Sequence, residues 1–174
     1  KAREAAHYAE AEQLLQRALR GAEQVSPDDA RVATAANNLG LLYHDQGRLQ
    51  EAQSLYTRAL AMWEQQLGPE HEDVAAALNN LAEIAHAEGD WGRAEPLYER
   101  VLAIERKVLG AAHPDVAISL NNLAELYRKQ GRETAAESMY HLALILMEEA
   151  HGTDHPDLGP VLNNLAVLYK GRGL

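Results

Sequence analysis

Asn121-Asn122-Leu123-Ala124 is the stretch whose reading decides the fold. The Asn-Asn-Leu triplet begins at Asn37, Asn79, Asn121 and Asn163, and each start lies 42 residues after the last. Self-similarity at such a period marks an array of supersecondary units, each unable to bury its apolar face alone. Working outward, His113-Pro114-Asp115-Val116 precedes the triplet and Leu126-Tyr127 follows it, with Gly131 four residues further on.

The units read as helix pairs. Apolar residues recur at helical spacing, and Ala is abundant while β-branched residues are sparse. The first helices are predicted over 31–46, 71–88, 113–130 and 155–170. The second helices are predicted over 1–26, 49–67, 91–109 and 133–150. Gly47, Gly68, Gly89, Gly110, Gly131 and Gly152 stand as stops, suited to the left-handed position after a helix. Pro114 and Pro156 fit a first helical position, where an N–H would go unpaired, and Asp115 and Asp157 follow at its positive end. Glu72 and Ala30 take the proline's place in the other units. Pro96 and Pro160 each remove a backbone bond, so a local distortion or a late start is expected there.

The boundaries are therefore a half repeat at 1–26, repeats at 27–68, 69–110 and 111–152, and a half repeat at 153–174. Residues 1–26 align with the later second helices if one residue is missing before Ser26-Pro27. The chain starts at Lys1 and stops partway through a unit at Gly173-Leu174, so it is read as an excised fragment, from which a targeting signal could be missing.

A packing code repeats with the units. Leu39, Leu81, Leu123 and Leu165 precede Tyr43, Ala85, Tyr127 and Tyr169 by four residues, which puts each pair on one face. Ala52, Ala94 and Ala136 precede Tyr56, Tyr98 and Tyr140 by four, with Ala59, Val101 and Ala143 three beyond. Small residues allow close helix approach and the tyrosine fills the seam. Trp63 and Trp91 are read as packing residues of second helices.

Leu123-Ala124, Tyr127, Gly131, Ala136, Tyr140 and Ala143 resemble the tetratricopeptide repeat pattern. The longer phrase, from His-Pro-Asp-Val-Ala through Leu-Asn-Asn-Leu-Ala to Gln-Gly-Arg, is similar to the long repeats of kinesin light chains. The resemblance spans essentially the whole chain. It implies an all-α helix-turn-helix solenoid of eight helices wound as a right-handed superhelix. It also implies a protein-interaction scaffold whose first helices line a concave groove for a partner peptide. Such a repeat hosts many partners, so the fold alone does not choose one.

The asparagine pairs Asn37-Asn38, Asn79-Asn80, Asn121-Asn122 and Asn163-Asn164 are the groove candidates. An amide offers both donor and acceptor, which suits an extended backbone. In clamp-type repeats the second Asn falls where the ligand is held, and the alternative is that one Asn ties its helix to the adjacent repeat. Three residues on stand Leu41, Glu83, Glu125 and Val167; six on stand His44, His86, Arg128 and Lys170. With Lys129, these make one end basic. Kinesin light chains hold acidic, Trp-containing peptides in a basic groove; Glu83 and Glu125 depart from that and favour a mixed or partly basic ligand. The alternative is a merely solvated face.

Other chemistry is poorly supported. A formal net charge of −10 opposes nucleic acid and anionic membrane as partners, and acidity also keeps a surface-rich helical protein soluble. No apolar run reaches the ~18 residues of a membrane span. With no cysteine, disulfides and thiolate metal sites are excluded, and the redox compartment is left open; the cytoplasm is the expected location. His71, His113 and His155 recur once per unit, too far apart to share a metal ion, and Gly152 breaks the helix between His151 and His155. No phosphate loop or catalytic motif is present, so neither an enzyme nor a cofactor is expected. Two other readings stand beside the peptide groove: a structural spacer or end-to-end array, and the regulatory or sensor portion of a larger chain.

Overall fold

Residues 2–173 are described by a computed structural model. Eight α-helices follow one another: α1 Ala2–Val25, α2 Ala30–Asp45, α3 Leu49–Leu67, α4 Glu72–Ala87, α5 Trp91–Val108, α6 Pro114–Lys129, α7 Glu133–His151 and α8 Gly159–Gly171. One 3₁₀ turn, Pro156–Leu158, precedes α8, and no strand occurs among the described residues. The helices lie within one or two residues of the periods read from sequence, except at α8.

The glycine stops hold. Gly47 has φ 73° and Gly68 has φ 87°, in the left-handed region that a Cβ disfavours. The starts are more specific than expected. His71, His113 and His155, read as first helical residues, lie just ahead of the helical turns. The Nδ1 atoms of His113 and His155 accept from the Asp115 and Asp157 amides at 3.2 and 3.3 Å, and His71 accepts from the Asp73 amide at 3.2 Å. Asp29 does the same for Arg31 in α2. The recurring histidine therefore satisfies an amide that the helix cannot satisfy itself.

The two prolines differ. At Pro160 the helix starts late: the 3₁₀ turn takes the chain from Pro156 to Leu158, and α8 opens at Gly159 with Pro160 in its first turn. At Pro96 the start is not late, and α5 runs from Trp91 through it without a break. Pro96 lies in the second turn, so the ring leaves only the Gly92 carbonyl without its helical donor. Gly92 is exposed, where solvent can serve that carbonyl.

Packing divides the chain into two compact units, residues 1–84 and 85–174, with the division inside α4. In the first unit, α1, α2, α3 and most of α4 enclose Val32, Ala36, Ala52, Tyr56, Ala59, Val74 and Ala77, all at or near zero exposure. Trp63 is buried there as expected. The Tyr56 ring lies so close to α2 that a Cβ on Gly40 would meet it at 2.7 Å. In the second unit, α5 to α8 enclose Tyr98, Val101, Leu120, Leu123, Ala124, Tyr140 and Ala143. Each fully buried leucine contributes about 1.5–3 kcal/mol. Trp91 opens α5 and is 37% exposed, so it packs less than its position suggested.

Candidate functional site

The first helices turn one face to solvent. In the first unit, α2 exposes Thr34, Asn38, Leu41 and Asp45. In the second, α6 exposes Ile118 and Lys129 and half-exposes Asn122 and Glu125, while α8 exposes Pro160 and Val167. Of these, Asn38, Leu41, Asn122, Glu125, Lys129 and Val167 stand at positions read from sequence as groove candidates; Thr34, Asp45, Ile118 and Pro160 do not.

The asparagines divide by role. Asn80 Nδ2 donates to Asn37 Oδ1 at 3.1 Å in the first unit, and Asn164 Nδ2 donates to Asn121 Oδ1 at 3.0 Å in the second. In both, the second Asn of one first helix reaches back to the first Asn of the preceding first helix. Asn79 donates to Glu83 at 2.9 Å. Asn38 and Asn163 are exposed, and Asn122 is half-buried. Asn37, Asn80, Asn121 and Asn164 thus tie neighbouring first helices together within a unit.

The charged candidates are also engaged. Arg128 makes two hydrogen bonds to Glu125, at 2.7 and 2.6 Å, and the Tyr140 hydroxyl donates to the same carboxylate at 2.9 Å. Burial pulls the Glu125 carboxyl up, but the bonds from Arg128 and Tyr140 and the charges of Arg128 and Lys129 outweigh it and hold it below its ordinary value. The basic end expected from Arg128 is therefore largely neutralised on site; Lys129 is exposed but also lies 3.9 Å from Glu125, and Lys170 is exposed. His86 stands edge-on to the Tyr98 ring at 6.4 Å, and His44 is half-buried in the last turn of α2.

A staple not foreseen from sequence joins one second helix to the first helix after it in each unit. In the first unit, the Arg48 guanidinium lies 3.7 Å from the Tyr43 ring centre, and Glu12 of α1 accepts from both Arg48 and the Tyr43 hydroxyl at 3.0 Å. In the second, Arg132 lies 3.6 Å from the Tyr127 ring centre and bonds Glu95 of α5. The Gln-Gly-Arg phrase was the available signal, but its carboxylate partner stands more than thirty residues upstream.

One cleft opens on the exposed face within the second unit. It encloses about 630 Å³ between α6, the end of α7 and the start of α8. Ile118, Met147, Pro160 and Val161 form its apolar wall, Asn121 and Asn122 bring amides, and His113, Asp115, His151 and Asp157 stand at its mouth. Sequence reasoning named the asparagines but missed Ile118, Met147 and Val161, which come from three different helices. The His151 and His155 rings stack at 4.7 Å. Among the described residues, no group of three His, Asp or Glu side chains is placed to hold a metal ion, and no helix is long and apolar enough to cross a membrane.

Comparison with known proteins extends this geometry. The tetratricopeptide repeat model matches over residues 2–65, 31–107, 73–144 and 115–173. The crystal structure of BtubC (BKLC) from P. vanneervenii superposes with a TM-score of 0.88 at 29% identity, covering 98% of this chain and 68% of that one. A Podosopora anserina protein with nearly identical, kinesin-light-chain TPR-like repeats superposes at 0.80 with 24% identity, covering 98% and 81%. The N-terminal domain of stress-induced protein-1 from C. elegans gives 0.59 at 16% identity, covering 80% and 96%. No curated protein matched the chain.

Proposed function

This chain belongs to the tetratricopeptide repeat family, and we propose that it takes a segment of a partner protein on the exposed face of its first helices. Repeats of this family generally mediate protein–protein interaction and are not enzymes as a rule. The observation that carries the finer reading is the cleft of about 630 Å³ in the second unit, with an apolar wall and amides beside it. That combination suits a peptide that seats one apolar side chain against Ile118, Met147 and Val161 while its backbone meets an asparagine amide.

Charge selects the class of peptide. Asp115 and Asp157 stand at the cleft mouth, and Arg128 is already paired with Glu125. A basic residue next to the apolar anchor fits this surroundings better than an acidic one, in a chain whose formal net charge is −10. A shallow site of this kind binds with roughly micromolar affinity.

Peptide display against the folded chain, followed by fluorescence anisotropy on the selected sequences, tests the reading. Selected peptides should carry an apolar residue flanked by Lys or Arg. Ile118 is 49% exposed, so Ile118→Glu should weaken their binding at least tenfold while the melting temperature stays within a degree or two. Selection of acidic peptides, or binding indifferent to Ile118→Glu, would remove the cleft as the site.

A further inference from the structure

The two units carry one frame written twice. In the first, α2 runs Ala30–Asp45 and α3 Leu49–Leu67; in the second, α6 runs Pro114–Lys129 and α7 Glu133–His151. Every bound is displaced by two periods. The Asn37–Asn80 and Asn121–Asn164 bonds fall at the same displacement, and Gly68 and Gly152 close α3 and α7 with φ of 87° and 89°. Each residue of the first unit therefore has a counterpart two periods on in the second.

On that register, the place of the second unit's cleft is filled in the first. Met147 in the cleft wall corresponds to Trp63, whose indole is 5% exposed and sits in the first unit's core. The neighbours trade bulk in the opposite sense: Thr34, Ala76 and Ala77 stand where the second unit has Ile118, Pro160 and Val161. The first unit sets one large ring among small residues. The second sets a slim, flexible side chain among larger ones, which moves apolar surface to the walls and leaves space between them. Gln66 widens the contrast. Its Nε2 donates to the Asp28 carbonyl at 2.8 Å and straps the end of α3 to the turn before α2. Ala150 takes its place in α7 and has no side-chain donor.

The openness is not an end effect. Thr34, Ala76, Ile118 and Pro160 share one repeat position and all four are exposed, while Ala35, Ala77, Ser119 and Val161, one residue on, are all buried.

We propose that Trp63 is an internal plug. It occupies in the first unit the place that the second unit leaves open for the partner's apolar side chain. Of these two equivalent places only the second takes the segment, and the residue at 63 and 147 makes the choice. The inference rests on the peptide cleft proposed above, and adds the side chain that decides where the cleft is built.

Methyl NMR on the full chain with carbon-13 methionine tests it. The probe is neutral acetyl-leucine-methylamide, so that charge at the cleft mouth does not enter. The chain has three methionines: Met147 in the cleft, Met62 beside Trp63 in the first unit, and Met139 in the middle of α7 as a control. Probe at millimolar concentration should shift the Met147 methyl saturably and leave Met62 and Met139 in place. Met147→Trp should weaken probe binding roughly tenfold or more, read by saturation-transfer difference on the leucine methyls, with wild-type helicity by circular dichroism as the control. Trp63→Met combined with Gln66→Ala should open the first unit, so that the Met62 methyl shifts as well while the Met147 response is unchanged. If that double variant does not fold, Met147→Trp decides alone. A wild type in which no methyl moves removes the cleft itself, and the peptide site falls with the plug. A Met147 response in the wild type together with binding that survives in folded Met147→Trp overturns the plug alone. So does a Met62 methyl that already shifts in the wild type, or one that stays still in a folded double variant.

Discussion

The seam of α2 with α3 and the seam of α6 with α7 occupy the same place in the repeat and solve it differently. At the first, Gly40 lets the Tyr56 ring come close, Leu41 stands beside it, and the Tyr56 hydroxyl is buried without a hydrogen-bond partner among the described residues. At the second, Ala124 and Glu125 take those positions, and the Tyr140 hydroxyl donates to Glu125. Burial, helped by the charges of Glu83 and Asp45, holds the Tyr56 phenol far above its ordinary value, and burial does the same for Tyr140 together with its bond to Glu125. The apolar shape repeats and the polar partner does not. Glu125 therefore works in two directions at once, toward the exposed face and into the seam. A residue read as groove specificity in one unit is also part of the framework there.

The largest break in that comparison should come from Gly40→Ala. Helix propensity alone favours the alanine, but its Cβ would meet the rigid Tyr56 ring at 2.7 Å. Stability by urea unfolding should fall by about 1–3 kcal/mol. A neutral or stabilising result would mean that the first seam has the same room as the second.

The next test uses the position where the first unit has Trp63, α5 has Glu105 and α7 has Met147. Glu105 is half-buried, one of its oxygens has no partner among the described residues, and burial pushes its carboxyl up against the opposing bond from Ser119. A raised folded-state value means that the native chain binds the proton more tightly than the unfolded chain. The stability this contributes is present in acid and is lost as pH rises through the raised value. Glu105→Met should stabilise the protein by about 1–2 kcal/mol near neutral pH. Melts at a series of pH values should show the gain shrinking below the ordinary carboxylate range. A gain that persists unchanged into acid would assign it to packing instead.

The smallest effects sharpen the contrast directly. Tyr140→Phe removes a donor from Glu125 and should cost about 1 kcal/mol, whereas Tyr56→Phe removes an unpaired hydroxyl and should fall within about 0.5 kcal/mol of zero. Equal losses at the two sites would show that the Tyr56 hydroxyl has a partner after all.

Much of this was legible in the linear chain, for reasons that differ by residue. The period of the Asn-Asn-Leu triplet, the tyrosines between small residues and the stop glycines are each local signals, and each returned the expected element. The asparagines were legible only as a pair of alternatives, because an amide suits a ligand backbone and a neighbouring amide equally; Asn37, Asn80, Asn121 and Asn164 take the second option. The histidine caps were missed because histidine is an uncommon cap, and His71, His113 and His155 were read as first helical residues instead. The Arg132, Tyr127 and Glu95 staple and the apolar wall of Ile118, Met147 and Val161 draw on helices far apart in sequence, where no period reports the contact.

Gly47, Gly68, Gly89, Gly110, Gly131, Gly152 and Gly173 all take positive φ, and they fall 21 residues apart. Helix and half-repeat thus share one beat, which limits how such a chain can change length. A single residue inserted in α4 ahead of Asn80 would turn the rest of that helix's first-unit face by about 100° and carry Asn80 away from Asn37. The alignment of residues 1–26 with the later second helices needs one residue fewer only at the end of α1, beyond its packed faces. Growth or shrinkage by whole beats preserves every seam, so duplication and deletion of entire units is the edit this architecture accepts.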